Sequence, residues 1–159
     1  MAAVADTSPL IFLAKVNRLT LLPELYREVF VSPAVATEIR AKPDTIPPEL
    51  DRFLGSARVQ APDNLTQVQT FSAFLGMGEA EAIALAMEIP DGVLIMDDAE
   101  GRRVARSLGL RVTGLLGILV EAKARKVLPA ISPIMDQLVA EGLWISEAMR
   151  RSVLDAVGE

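Results

Sequence analysis

Four apolar residues at 93–96 run straight into two adjacent carboxylates, Asp97 and Asp98, and a helical pattern follows. An apolar run bounded in this way predicts a buried parallel strand leading into a helix. Ala2–Ala5 is a second short apolar strand, and it ends at Asp6 in the same manner. Open α/β sheets hold ligands at the carboxyl ends of their strands, so these two strands predict acids gathered at one sheet edge. Thr7, Ser8 and Pro9 come next. Ser8 is expected as a helix N-cap and Pro9 as the first helical residue. The helix would turn Leu10, Ile11, Leu13 and Ala14 inward. Residues 19–26 predict a second short helix, Glu28–Val31 a strand, and Ser32-Pro33 the start of a helix through about residue 41.

The pattern then predicts a loop over residues 42–48, a short helix over 48–54 closed by Gly55, and an edge strand near 57–59. Residues 65–75 read as helical. Gly76-Met77-Gly78 is expected to break the chain before an alanine-rich helix over 79–89, which ends at the Pro90-Asp91-Gly92 turn. After the strand at 93–96 come a helix over 99–108 stopped by Gly109, a strand at 110–113, and a helix over 114–126 with basic residues in its last turn. Two more helices, 130–141 and 146–157, close the sequence. Strands alternate with helices throughout. The expected fold is an α/β, three-layer α/β/α sandwich with a mostly parallel sheet. It forms a single domain over 1–159, with about 130–159 as a C-terminal helical extension.

Composition narrows the chemistry. The 159 residues include no cysteine and no histidine. Disulfides, thiolate metal sites, the usual zinc sites and histidine-assisted nucleophiles are therefore excluded. Any metal must be held by carboxylate and carbonyl oxygens, which favours hard ions such as Mg²⁺ or Mn²⁺. The formal charge of −5 argues against indiscriminate nucleic-acid binding but leaves room for a local basic patch. No apolar run approaches the roughly 20 residues of a membrane span. The expectation is a soluble cytoplasmic protein with no membrane partner.

Each acid has a structural reading beside a functional one. Asp6 could cap a helix, but Ser8-Pro9 is expected to do that two residues later. Asp98 immediately precedes a helix and would cap it well; Asp97, at the expected last strand position, would be redundant as a second cap. Glu38 sits three residues from Val35, beside the apolar face of its helix; a metal ligand and a solvated glutamate at the stripe edge fit equally. Glu79 opens the alanine-rich helix, where a negative charge also suits the helix dipole. It falls on a different face from Glu81 and Glu88, which are expected on the solvated side. Arg102, Arg103, Arg106, Lys123, Arg125 and Lys126 read as a solvated face or as phosphate contacts. No aromatic residues interleave with them, so base stacking is not supported by the sequence.

Four or five acids converging at a sheet edge would repel one another unless cations lie between them. Two-metal hydrolysis of a phosphodiester is the reaction class that best fits such a set. A glycosidase is a poorer fit, because it needs fewer acids and the chain is poor in aromatics.

With these residues in view, the sequence resembles the PIN-domain family, in particular its VapC-like toxin branch and a closely related uncharacterised subgroup. The resemblance is carried by A-D-T-S-P-L-I-F-L-A-K at 5–15, V-S-P-A-V-A-T-E-I at 31–39, G-E-A-E-A-I-A-L-A at 78–86, L-I-M-D-D at 94–98 and R-V-T-G-L-L-G-I-L at 111–119. It implies a small α/β/α sandwich whose acids bind Mg²⁺ or Mn²⁺. It also implies a ribonuclease, often a toxin neutralised by an antitoxin protein. Carried over by position, the four acids are Asp6, Glu38, Glu79 and Asp97, with Asp98 as an additional ligand and Ser8 as a supporting hydroxyl. The partners implied are an RNA substrate, an antitoxin and a second copy in a homodimer, for which Leu115, Leu116, Leu119 and the C-terminal helices could serve if they are not core. Two other readings stand beside the nuclease: a binding module of the same fold without turnover, and, last, a phosphoacceptor receiver domain suggested by the D-D pair.

Overall fold

The computed structural model describes residues 1–42 and 47–159. Residues 43–46 of the expected loop lie outside the described residues. The chain forms β1 (Ala2–Ala5), α1 (Thr7–Lys15), α2 (Leu21–Leu25), β2 (Glu28–Val31), α3 (Pro33–Arg40), α4 (Pro48–Ser56), β3 (Arg58–Val59), α5 (Leu65–Ser72), α6 (Met77–Glu88), β4 (Gly92–Ile95), α7 (Ala99–Ser107), β5 (Arg111–Thr113), α8 (Leu115–Ala124), α9 (Ser132–Ala140) and α10 (Glu147–Ala156).

The five strands form one parallel sheet in the order β3-β2-β1-β4-β5. β1 is central, with Ala2 registered against both Glu28 and Gly92. Strand side chains alternate between the two faces. Ala3, Ala5, Val29, Val31, Val93 and Ile95 face one apolar layer, with Leu10, Leu13, Leu22, Leu50 and Leu115. Ala2, Val4, Phe30, Leu94 and Met96 face the other, with Ile83, Leu85 and Val104. Helices cover both faces, so the chain is the expected α/β/α sandwich. Leu115 and Leu119 are buried in the first of these layers, and Leu116 packs against it half-buried. They are core in this chain.

Several boundaries differ from the sequence expectation for local reasons. α1 begins at Thr7, with Asp6 rather than Ser8 in the N-cap position. Asp6 extends the sheet: its N–H donates to the Ile95 carbonyl at 3.0 Å. Gly55 lies inside α4 instead of closing it. Gly78 lies inside α6, which starts two residues earlier than expected, and Gly76 takes the N-cap position. Asp97 lies beyond the end of β4.

α3, which carries Glu38, is fixed at its N-terminus from two sides. The buried Ser32 Oγ accepts the Val35 N–H at 3.2 Å. Glu81 Oε1 on α6 accepts the Ala34 N–H at 3.0 Å. Glu88 likewise accepts the N–H groups of Asp63 and Asn64. Glu81 and Glu88 thus bond backbone N–H groups of other elements, correcting the expectation of a solvated face. Unpaired N–H groups at a helix start attract any acceptor within reach.

At the other end of the fold, α9 buries Ile134, Met135 and Leu138 in the first layer, whereas α10 buries no residue. Val153 and Leu154 of α10 pack half-buried against that layer, and polar contacts add to their hold. Arg150 pairs with Asp136 and donates to Ser132. Glu159 accepts from Lys123 Nζ at 2.8 Å and from the N–H groups of Ile131 and Ser132. The Lys123 hydrogen bond, with the two N–H donors, holds the Glu159 carboxyl down at about 2.

Ser32→Ala should lower unfolding stability by about 1 kcal/mol, the usual cost of losing an N-cap. Urea denaturation checks this; an unshifted midpoint would show that Glu81 alone secures the start of α3.

Candidate active site

The carboxyl ends of β1 and β4 adjoin one another because the two strands pair in parallel. β1 leads into Asp6 and β4 into Met96-Asp97-Asp98. α3 and α6 bring Glu38 and Glu79 to the same edge. A cleft of about 540 Å³ there is lined by Asp6, Thr7, Ser8, Ile11, Phe12, Lys15, Glu38, Lys42, Glu79, Asp97 and Asp98. All five acids singled out in the sequence line it, and so does Ser8.

Asp6 is the most constrained of them. It follows the central strand and is only 3% exposed. Its Oδ1 is buried and, among the described residues, has no hydrogen-bond partner. Burial is the main reason that its carboxyl is pushed up to about 7. The negative charges of Glu79, Glu38 and Asp98 raise it further, and the Thr7 backbone N–H opposes them.

Three of the other acids, Glu38, Asp97 and Asp98, engage donors of the chain. Glu38 is exposed, and its Oε2 accepts from Thr7 Oγ1 at 2.7 Å. The hydroxyl on this acid is that of Thr7, while Ser8, expected to support the site, is exposed on the cleft wall. Gly78 permits the approach of α6 to Glu38, since a Cβ at that position would lie 2.6 Å from Glu38 Oε1. Asp98 caps α7, accepting the Gly101 N–H at 2.7 Å.

Asp97 is also a cap, for a helix that follows much later. Its carboxylate accepts the Leu115 N–H at the start of α8, at 3.2 and 3.4 Å to its two oxygens. Gly114 leaves room for this, because a Cβ there would collide with Asp97 Oδ1. Burial raises the Asp97 carboxyl, and the Leu115 N–H and the Arg102 guanidinium pull it back. Arg102 itself donates to the Met96 carbonyl at 2.9 Å. A bond between residues so far apart in sequence could not be read from local spacing, although the Gly114 at the helix start was a trace of it.

The sequence reading passed over Phe12 and Lys15. Both lie on the α1 wall of the cleft, and Lys15 Nζ stands 5.8 Å from the centre of the Phe12 ring. The helical i, i+3 spacing of an aromatic and a lysine just after Asp6 was the available signal. The arginines and lysines noted in the sequence mostly serve the fold. Arg103 pairs with Glu100, Arg125 with Glu121 and the Leu25 carbonyl, and Lys123 with Glu159.

The donor set fits a hard divalent cation. Every candidate ligand is a carboxylate, and the buried Asp6 Oδ1 is an acceptor that no protein donor reaches. Among the described residues no three acids already stand in an arrangement that could hold a metal ion. Like charges repel one another, and Glu38, Asp97 and Asp98 each lie on the nearest donor.

The raised carboxyl of Asp6 sets a pH dependence. Between about pH 4 and 7 the folded metal-free chain keeps a proton on Asp6 that the unfolded chain releases. Stability therefore falls as pH rises through this window, and the loss is complete above about pH 7. Asp6→Asn should remove most of the slope and stabilise the metal-free chain at pH 8 by roughly a few kcal/mol. Denaturation across this range measures it; the same slope in wild type and variant would refute the assignment to Asp6.

Among the described residues no helix is long and apolar enough to cross a membrane. No curated protein and no solved structure matches the chain. A family model described as a PIN domain (DUF3368) matches residues 2–159. PIN domains are generally nucleases, act on nucleic acids and usually depend on a divalent metal. With a parallel α/β/α sandwich and an acidic cleft at the carboxyl edge of its sheet, the chain belongs to the PIN-domain family.

Proposed function

We propose that the chain is a metal-dependent endoribonuclease in which Asp6, Glu38, Glu79 and Asp97 hold Mg²⁺ or Mn²⁺, with Asp98 as an additional ligand. The observation that carries this reading is Asp6 Oδ1, buried without a donor in the field of Glu79, Glu38 and Asp98. A buried carboxylate in such a field is costly unless a cation offsets it. A bound divalent ion supplies an activated water and offsets the charge developing on a phosphodiester. The chain's own residues supply the placement. Burial at the sheet edge holds Asp6 still. Thr7 orients Glu38. The start of α8 orients Asp97, and the start of α7 orients Asp98. The VapC-like resemblance further supports a toxin held in check by an antitoxin protein and assembled as a homodimer.

A second reading has its own support. Asp97 and Asp98 already work as helix caps, and the chain is acidic overall. A binding module that keeps the fold without turnover would need nothing more of them.

The purified protein should cleave labelled RNA with Mn²⁺ or Mg²⁺ and stop in a chelator. Asp6→Asn and Asp97→Asn should each reduce the rate about a hundredfold or more, the effect of losing several kcal/mol of metal-assisted stabilisation. The Asp97→Asn side chain keeps an oxygen for the Leu115 N–H, so melting should change little in that variant. Mn²⁺ at about a hundred times its dissociation constant should raise the melting temperature by about 5–10 °C in the wild type and less in Asp6→Asn. Full cleavage by both variants would sink the ligand assignment. RNA binding without cleavage under every metal would favour the binding module.

A further inference from the structure

We propose that Arg102 is a positioning residue for Asp97: its guanidinium takes the Met96 carbonyl and so leaves the Leu115 N–H to the Asp97 carboxylate. The consequence for metal binding and cleavage rests on the nuclease reading of the cleft. The placement of Asp97 does not.

The register of β4 and β5 carries the argument. Ile95 stands against Thr113, so the next pair along the strands is Met96 and Gly114. In a parallel ladder such a residue donates its N–H to the carbonyl before its partner and accepts at its own carbonyl from the N–H after it. The first of these bonds is made, from the Met96 N–H to the Thr113 carbonyl at 2.8 Å. The second would join the Leu115 N–H to the Met96 carbonyl. Two side-chain bonds stand in its place. Arg102 Nη1 donates to the Met96 carbonyl at 2.9 Å. The Leu115 N–H donates to the two Asp97 oxygens at 3.2 and 3.4 Å. One backbone rung is thus exchanged for an arginine and an aspartate.

Two glycines make room for the exchange. Gly114 lies opposite Met96, and a Cβ there would stand 2.8 Å from Arg102 Nη1 as well as collide with Asp97 Oδ1. Gly101 lets the first turn of α7 rest on the buried Met96 side chain, whose Sδ a Cβ would strike. Arg102 follows directly and is half-buried, behind Asp97 and outside the lining of the cleft. The sign of its effect separates placement from charge. A cation beside a metal ligand repels an incoming metal, so the charge of Arg102 alone weakens binding. Its hold on the Met96 carbonyl acts the other way. Without that donor the Met96 carbonyl and the Leu115 N–H pair with each other, because backbone groups left unpaired away from water are costly. Asp97 then loses the N–H that orients it.

Arg102→Met keeps the stem and removes the donor, whereas Arg102→Lys keeps a donor. In the isotope-labelled full chain without metal, NMR scalar coupling across the hydrogen bond should run from the Leu115 nitrogen to Asp97 Cγ in the wild type and in Arg102→Lys. In Arg102→Met it should run to the Met96 carbonyl carbon instead. Melting of Arg102→Met should stay within about 3 °C of the wild type, because both backbone groups remain paired. Its Mn²⁺ affinity by calorimetry should fall about tenfold, the usual loss for a group that orients a metal ligand, and Arg102→Lys should recover most of it. With RNA, kcat of Arg102→Met should fall by a similar factor while KM holds. Tighter Mn²⁺ binding in Arg102→Met, or a coupling that still runs to Asp97, would overturn the positioning role; cleavage by the wild type would then leave the nuclease reading standing. A coupling that moves to Met96 in a chain whose wild type neither binds Mn²⁺ nor cleaves RNA would support the placement and overturn the nuclease reading.

Discussion

The central placement of β1 governs the site. A strand flanked on both sides by parallel neighbours, with helices above and below, leaves the residue after it little access to water. Here that residue is an aspartate. Burial denies it solvent, the sheet takes its N–H, and one carboxylate oxygen is left without a donor. The cleft around it is organised to bring more negative charge toward this point. Such an arrangement is unfavourable for an isolated chain and favourable for one that binds a cation.

The architecture was legible because its signals are periodic and local. The apolar runs at β1 and β4 and the Ser32-Pro33 start of α3 have the forms that parallel strands and capped helices require. The sheet edge followed from the two strands that run into aspartate. What the sequence concealed were bonds across the fold. Asp97 looked redundant because the cap was sought in the next helix, whereas it serves α8, which begins beyond β5. Glu81 looked solvated because helix periodicity reports only on a helix's own faces and knows nothing of the Ala34 N–H presented by α3. The bond from Thr7 to Glu38 was hidden in the same way, since the two residues lie 31 positions apart.

The distribution of charge matters more than its sum. A chain of net charge −5 gathers acids at one sheet edge, yet most of its arginines are spent on the fold, against carbonyls and neighbouring glutamates. Lys15 and Lys42, by contrast, line the cleft itself. Cations on its wall change the field in the cleft more than several on the far surface, since exposed charges are screened within about 10 Å.

The bond from the Ala34 N–H to Glu81, together with the close approach of Gly78 to Glu38, joins α3 and α6 as one packed unit. Glu38 and Glu79 ride on that unit, while Asp6, Asp97 and Asp98 follow strands of the sheet. The cleft is thus a jaw with two acids on one side and three on the other. A substitution that loosened α3 from α6 would therefore displace Glu38 from Glu79 while leaving the three strand-borne acids in place.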